Sequence, residues 1–182
     1  MTNTPSPMSG HELIEAFRAG RTDFSGENLY GIKLRGAHLD GIIMNGADLR
    51  ESDLSGASFF RASLRGAMLN RAHLGIFHDL NTDPNLDDID IQLGCVNMEQ
   101  ADLSGAFLNH ALMFNINLRQ SNLENADLRD AHMRQADLSG ANLNGANLSG
   151  ADLSEARLST LALKHAGTAN TILDHIIDLD LL

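Results

Sequence analysis

An aliphatic or aromatic residue returns every fifth position through most of this chain, as in "ADLSGANLNGANLSGADL" from Ala136 to Leu153. Centres of these pentads fall at Phe24 and every fifth residue to Leu74, then again from Leu93 to Leu163, 26 in all. Two places before the centre, 16 of the 26 positions are Ala; two places after it, 11 are Gly, so small residues flank each centre in fixed places. A helix advances about 100° per residue, which would set successive centres about 140° apart and smear them around its surface. Five is odd, so on a straight strand the centres would alternate faces. Neither element can bury this pattern. The chain must bend once per pentad, with the centre and the small residue before it both turned inward. Gly, Asn and Asp after the centre suit such corners because they tolerate turn backbone angles. Self-similarity at a fixed period marks a solenoid.

The pentads "ADLSG", "ANLNG", "ANLSG" and "ADLRD" match the A-(D/N)-L-x-x motif, and the chain resembles the pentapeptide-repeat family over residues 22–74 and 91–164, about 70% of its length. The resemblance implies an all-β solenoid: a right-handed quadrilateral parallel β-helix with four pentads per coil. Six and a half coils would follow from 26 pentads, a rod about 30 Å long at the ~4.8 Å strand spacing. Ala, Leu and Gly are then architecture.

A stacked rod needs its open ends covered, and short α-helical caps are expected at both. Residues 1–21 form a tail and one helix within "SGHELIEAFRAG": Ser9 and Glu12 make a capping box, Leu13, Ile14 and Phe17 share a face, and Gly20 ends it. Residues 165–182 read as a second helix starting near Asn170, with Ile172, Leu173, Ile176 and Ile177 as its apolar side. That end is alternatively a homodimer contact, because family members that dimerise do so there. Between the two blocks of coils the frame slips: Leu74 to Leu93 is 19 residues, one short of four pentads, so residues 75–90 read as an excursion. Unrepeated loops of that length in compact solenoids are often functional, the alternative being a neutral solvated insertion.

A single cysteine, Cys95, cannot form an internal disulfide and points to a reducing compartment. The opening "MTNTPSPMSG" lacks the order of a signal peptide, and no apolar run approaches the ~18 residues of a membrane span. A cytoplasmic protein that contacts no membrane is expected. Net charge is −11, which argues against direct nucleic-acid binding through a basic surface.

The excursion carries Asp79, Asp83, Asp87, Asp88 and Asp90 with no Lys or Arg. Asp79, Asn81, Asp83 and Asp90 take the first, third, fifth and twelfth places of a calcium loop. Pro84 stands where the sharp turn needs Gly, however, and Asp90 replaces the bidentate Glu. A solvated acidic loop or an acidic arm facing a partner are the other readings, and no cofactor is expected. His73 and His78 flank the break without completing a ligand set, and no serine sits on a nucleophile elbow. The chain is not read as an enzyme.

Outward positions are mostly polar, so Phe107, Leu112 and Phe114, on adjacent sides of one coil, stand out; Phe60 and Met68 are similar exceptions earlier, Tyr30 and Ile43 lesser ones. Phe107, Leu112 and Phe114, together with Asp79, Asp83, Asp87 and Asp88, are the candidate contacts for another protein. A competing reading has Ile76, Phe77 and Leu80 fold down and cover the apolar three. Two functions stay open. One is a protein-binding scaffold, monomeric or dimeric through its C-terminal end, similar to the regular Leu-centred members found in cyanobacteria and other bacteria. The other is the family's inhibition or protection of DNA gyrase by a rod that mimics duplex DNA. Residues 22–74 are neutral, 91–164 carry −3, the excursion −5 and the tail −3. Most negative charge thus lies off the coils, and the centres are chiefly Leu where gyrase-directed members favour Phe.

Overall fold

The computed structural model describes residues 8–75 and 95–181. Within them the chain closes one coil every twenty residues: Asp23 pairs in parallel with Ile43 and Ile43 with Ser63, while Asn28, Asp48 and Met68 do the same on the next side. Four such columns make a four-sided parallel β-solenoid. Each side is so short that nearly every pairing is a single bridge; Arg157–Leu158 (β1) and Ile177–Asp178 (β2) pair over two residues.

One pentad shows why the chain bends. The Leu29 amide donates to the Asp48 carbonyl at 2.8 Å, and the Leu29 carbonyl accepts from the Ile32 amide at 3.0 Å, closing a four-residue turn. Gly31, third in that turn, has φ 65°, the left-handed angle a type II turn requires there. Pentads without glycine adopt it too, as at Glu51 (φ 57°) and Gln135 (φ 59°). The Asp or Asn before the centre completes the corner. Oδ1 of Asp48 accepts from the Arg50 amide at 3.2 Å, and Oδ1 of Asn122 from the Glu124 amide at 3.2 Å, an Asx-type bond spanning the centre.

Every described centre from Phe24 to Leu158 is buried, as are most of the small residues two places earlier. At the front, Gly10–Arg18 form α1, started by Ser9 and Glu12 in a reciprocal capping box. Leu13 is buried and Ile14 and Phe17 pack against the core. α1 lies across the first coil so closely that a Cβ on Gly10 would meet the Lys33 carbonyl oxygen at 2.1 Å.

The C-terminal helix expected over residues 165–182 does not form. Gly167, Ile172 and Ile177 instead pair with Asn147, Asp152 and Arg157, each twenty residues earlier. Asn170 and His175 take the left-handed corner angle at φ 57° and 55°. Ile172, Leu173, Ile176 and Ile177 do fit a helical face, but they also keep the pentad frame, and the preceding coil offers amides and carbonyls that a short helix would leave unpaired. The pentad expected at Leu163 is a 3₁₀ turn, Thr160–His165, and a second 3₁₀ turn spans Leu179–Leu181. On the last described rung Leu173 is 37% exposed, and Leu181 after it is 83% exposed.

Across the excursion the pairing interval widens from twenty residues to thirty-nine: Ser58 pairs with Asn97 and His73 with Leu112. The extra nineteen residues therefore enter at one corner and leave the ladder unbroken. Leu93, expected to open the second block, lies outside the described residues, and the rung one coil before Met113 is held by Leu74.

Candidate partner-binding surface

Three stacked rungs meet at one edge of the rod. Met68, Phe107 and Asp127 follow one another down one side; His73, Leu112 and His132 follow one another down the next. Along the corner between them, the Arg71 amide donates to the Asn109 carbonyl and the His110 amide to the Arg129 carbonyl, which stacks Arg71, His110 and Asp130. The structure thus puts Phe107 and Leu112 on adjacent sides of one coil, with Phe114 at the next corner, against Gly75.

Phe107 is 47% exposed, while Leu112, Phe114 and Met68 are half-buried. The Phe114 ring lies 5.8 Å from that of His132, tilted by 30°. Beside it the chain leaves the ladder: a Cβ on Gly75 would come within 2.4 Å of the Phe114 carbonyl oxygen. The excursion therefore starts against the apolar edge. Asp79, Asn81, Asp83, Asp87, Asp88 and Asp90 lie outside the described residues, as do Ile76, Phe77 and Leu80. Among the described residues no group of three His, Cys, Asp or Glu is placed to hold a metal ion.

Charge around the edge is mostly paired. Arg129 grips Asp127 through two bonds of 2.8 and 2.7 Å, and three rungs away Arg50 grips Asp48 through bonds of 2.8 and 2.6 Å. The guanidinium bond in each pair holds that aspartate below the usual carboxylate range. Glu155 is lowered first by Gln135 and then by Arg134, which bonds it at 3.0 Å. Elsewhere Arg65 lies 3.7 Å from Asp102, and Arg119 and Arg157 each 3.9 Å from Asp137. Tyr30, on the side of Phe107, is 45% exposed, with the Arg50 guanidinium 5.8 Å from its ring centre.

Sequence reasoning found the apolar residues but missed their setting. Arg71 and His73 become neighbours of His110 and Leu112 only when the nineteen-residue shift is placed at the corner after Gly75, a place the sequence offsets alone leave open.

A closed ladder of five-residue turns with apolar side chains along one edge defines a four-sided repeat solenoid. The family comparison gives it a name. Pentapeptide repeats match residues 28–66 and 121–159, and the chain belongs to the pentapeptide-repeat family. No curated protein matches the sequence significantly. Among solved structures, trypsin-treated QnrB1, a plasmid-mediated fluoroquinolone resistance protein, is 24% identical, covering 85% of this chain and 69% of its own at a TM-score of 0.56. Full-length QnrB1 gives 24%, 84%, 72% and 0.51 for the same quantities. HetL of Nostoc sp. strain PCC 7120, a pentapeptide-repeat protein involved in heterocyst differentiation regulation, is 27% identical over 93% of this chain and 94% of its own, at a TM-score of 0.24.

Proposed function

We propose that this chain is a non-enzymatic scaffold, wound right-handed as its family implies, that binds another protein at the edge formed by Phe107, Leu112 and Phe114. The segment carrying Asp79, Asp83, Asp87 and Asp88 is the second contact, since it departs from that edge. The observation behind the reading is the exposure of Phe107 in a column otherwise held largely by Asn and Asp, because an exposed aromatic among polar neighbours is characteristic of interface anchors. Affinity capture from the source cell tests it. Phe107→Ser, and separately removal of residues 76–94, should each lose the same partner; retention by both variants overturns the reading. The cytoplasm is the proposed compartment.

A gyrase-directed role is the second reading, supported by the shared solenoid of QnrB1. Against it, carboxylates on the coils are largely neutralised by neighbouring arginines, whereas a duplex mimic needs them free along a face. A supercoiling assay decides: no effect on gyrase at micromolar rod removes this reading. Self-association, where it occurs, belongs at the C-terminal end. α1 covers the other end, and Ile172, Leu173 and Ile177 remain exposed on the last rung. Sedimentation of Leu173→Asp against the unaltered chain reads this out.

A further inference from the structure

We infer that the partner segment received at the Phe107 edge is acidic as well as apolar; this rests on the reading above and adds the sign of the charge. Although the chain carries −11 overall, the residues flanking Leu112 in its column are imidazoles and not carboxylates. Leu112 lies between His73 and His132 in its column, with His110 two residues away at the corner, and all three histidines are exposed. Beside His110 on the same corner stands Arg71, which makes no ion pair among the described residues.

The carboxylates at the margin are mostly engaged already. Asp127 is gripped by Arg129, Glu155 by Arg134 and Gln135, and Asp53 lies 3.9 Å from Arg35. Asp152 accepts from the Ser154 amide and hydroxyl, and Asp130 lies 3.8 Å from His110. What remains to greet an incoming segment is the Arg71 guanidinium, the imidazoles of His73 and His132, and the apolar surface of Phe107, Leu112 and Met68. A leucine or phenylalanine on the partner would bury against Phe107, and a neighbouring carboxylate would reach Arg71. A basic segment would meet the charge of Arg71 instead.

Three synthetic peptides test this: one alternating aspartate with leucine, its lysine–leucine counterpart and its aspartate–serine counterpart, each titrated by fluorescence anisotropy against the full chain and the chain lacking residues 76–94. The aspartate–leucine peptide should bind the full chain at least about 10-fold tighter than either counterpart. Phe107→Ser and Arg71→Glu should each weaken it about 10-fold with unchanged circular dichroism. Equal or tighter binding of the lysine peptide, binding indifferent to Arg71→Glu, or no binding overturns the inference. Loss on Phe107→Ser without dependence on charge sign overturns the acidic partner while leaving the edge as a binding site. Binding that appears only when residues 76–94 are removed makes the chain's own segment the occupant, and overturns the external partner.

Discussion

The amide of Leu74 donates to the carbonyl of Leu112 at 2.7 Å, across thirty-eight residues of sequence. Equivalent bonds elsewhere span nineteen, as from Leu54 to His73 and from Met113 to His132. The nineteen additional residues are therefore confined between Gly75 and Cys95, and the ladder closes past them as though they were absent. Deleting residues 76–94 and replacing Cys95 by Gly should join Gly75 to a corner glycine, then Val96, Asn97 and Met98, restoring an uninterrupted pentad. Thermal unfolding by circular dichroism should show this variant as stable as the intact chain or more so. The gain should reach up to about 2–3 kcal/mol, from the closure entropy of a loop of that length. Removing only residues 76–90 leaves four residues out of frame and should recover less. A deletion variant that fails to fold would show that the excursion supports the coils.

Ser52 and Ser121 occupy the same inward slot, where most pentads carry Ala, yet their hydroxyls differ. Ser121 Oγ donates to the Leu118 carbonyl at 2.8 Å, while Ser52 Oγ is buried without a hydrogen-bond partner. A buried unsatisfied hydroxyl costs about 1–3 kcal/mol. Ser52→Ala should raise the urea midpoint by an amount corresponding to about 1 kcal/mol, and Ser121→Ala should change it little. A lower midpoint for Ser52→Ala would mean that its hydroxyl is paired in solution.

The two serines also show where the sequence could be read and where it could not. A period of five excludes both regular elements, so the inward alternation of Leu108 and Ala106 was legible without coordinates. Ser9 and Glu12 likewise announced α1, because a capping box is a local signal complete within four residues. The tail was misread because Ile172, Leu173, Ile176 and Ile177 satisfy a helical face and a pentad frame equally. What separates the two is non-local: Asn147, Asp152 and Arg157 present a rung for the tail to pair with. The apolar edge was half legible for the same reason. Phe107 stands out within its own pentad, but its neighbours Arg71 and His73 arrive from thirty-four or more residues away.

Gly46 isolates the cost of a corner. Its φ is +65°, and a Cβ there would meet no atom within 4 Å, so any penalty for a side chain is backbone strain alone. Gly46→Ala should destabilise by roughly 1 kcal/mol, and Gly46→Asn by less, since asparagine tolerates the left-handed region. Gly10→Ala should act differently. There the new Cβ would strike the Lys33 carbonyl, so α1 should undock and its amides exchange early while the coils stay protected. Equal effects of Ala and Asn at Gly46 would show that this corner does not hold its left-handed angle.

Acid should loosen the rod through its aspartates. Asp48 and Asp127 are each lowered below the usual range first by the guanidinium bond from Arg50 or Arg129, and Asp178 first by the amide of Asp180 and then by Thr160. A carboxyl depressed in the folded state stabilises fully above its unfolded pKa, near 4, and the contribution is lost as pH falls through the lower folded value. Stability should therefore be flat in this respect from neutral pH down to about 5 and decline below about 4. Asp48→Asn and Asp127→Asn keep an acceptor for the amide two residues on, as Asn122 does for Glu124, but remove the ion pair. Each should cost about 0.5–1 kcal/mol at neutral pH, the scale of a well-aligned exposed pair, and flatten the acid decline. Melting temperatures of the double variant followed from pH 7 to pH 2 give the answer. An acid limb as steep as that of the unaltered chain would place the responsible carboxylates elsewhere, with Asp178 at the C-terminal rung the next to substitute.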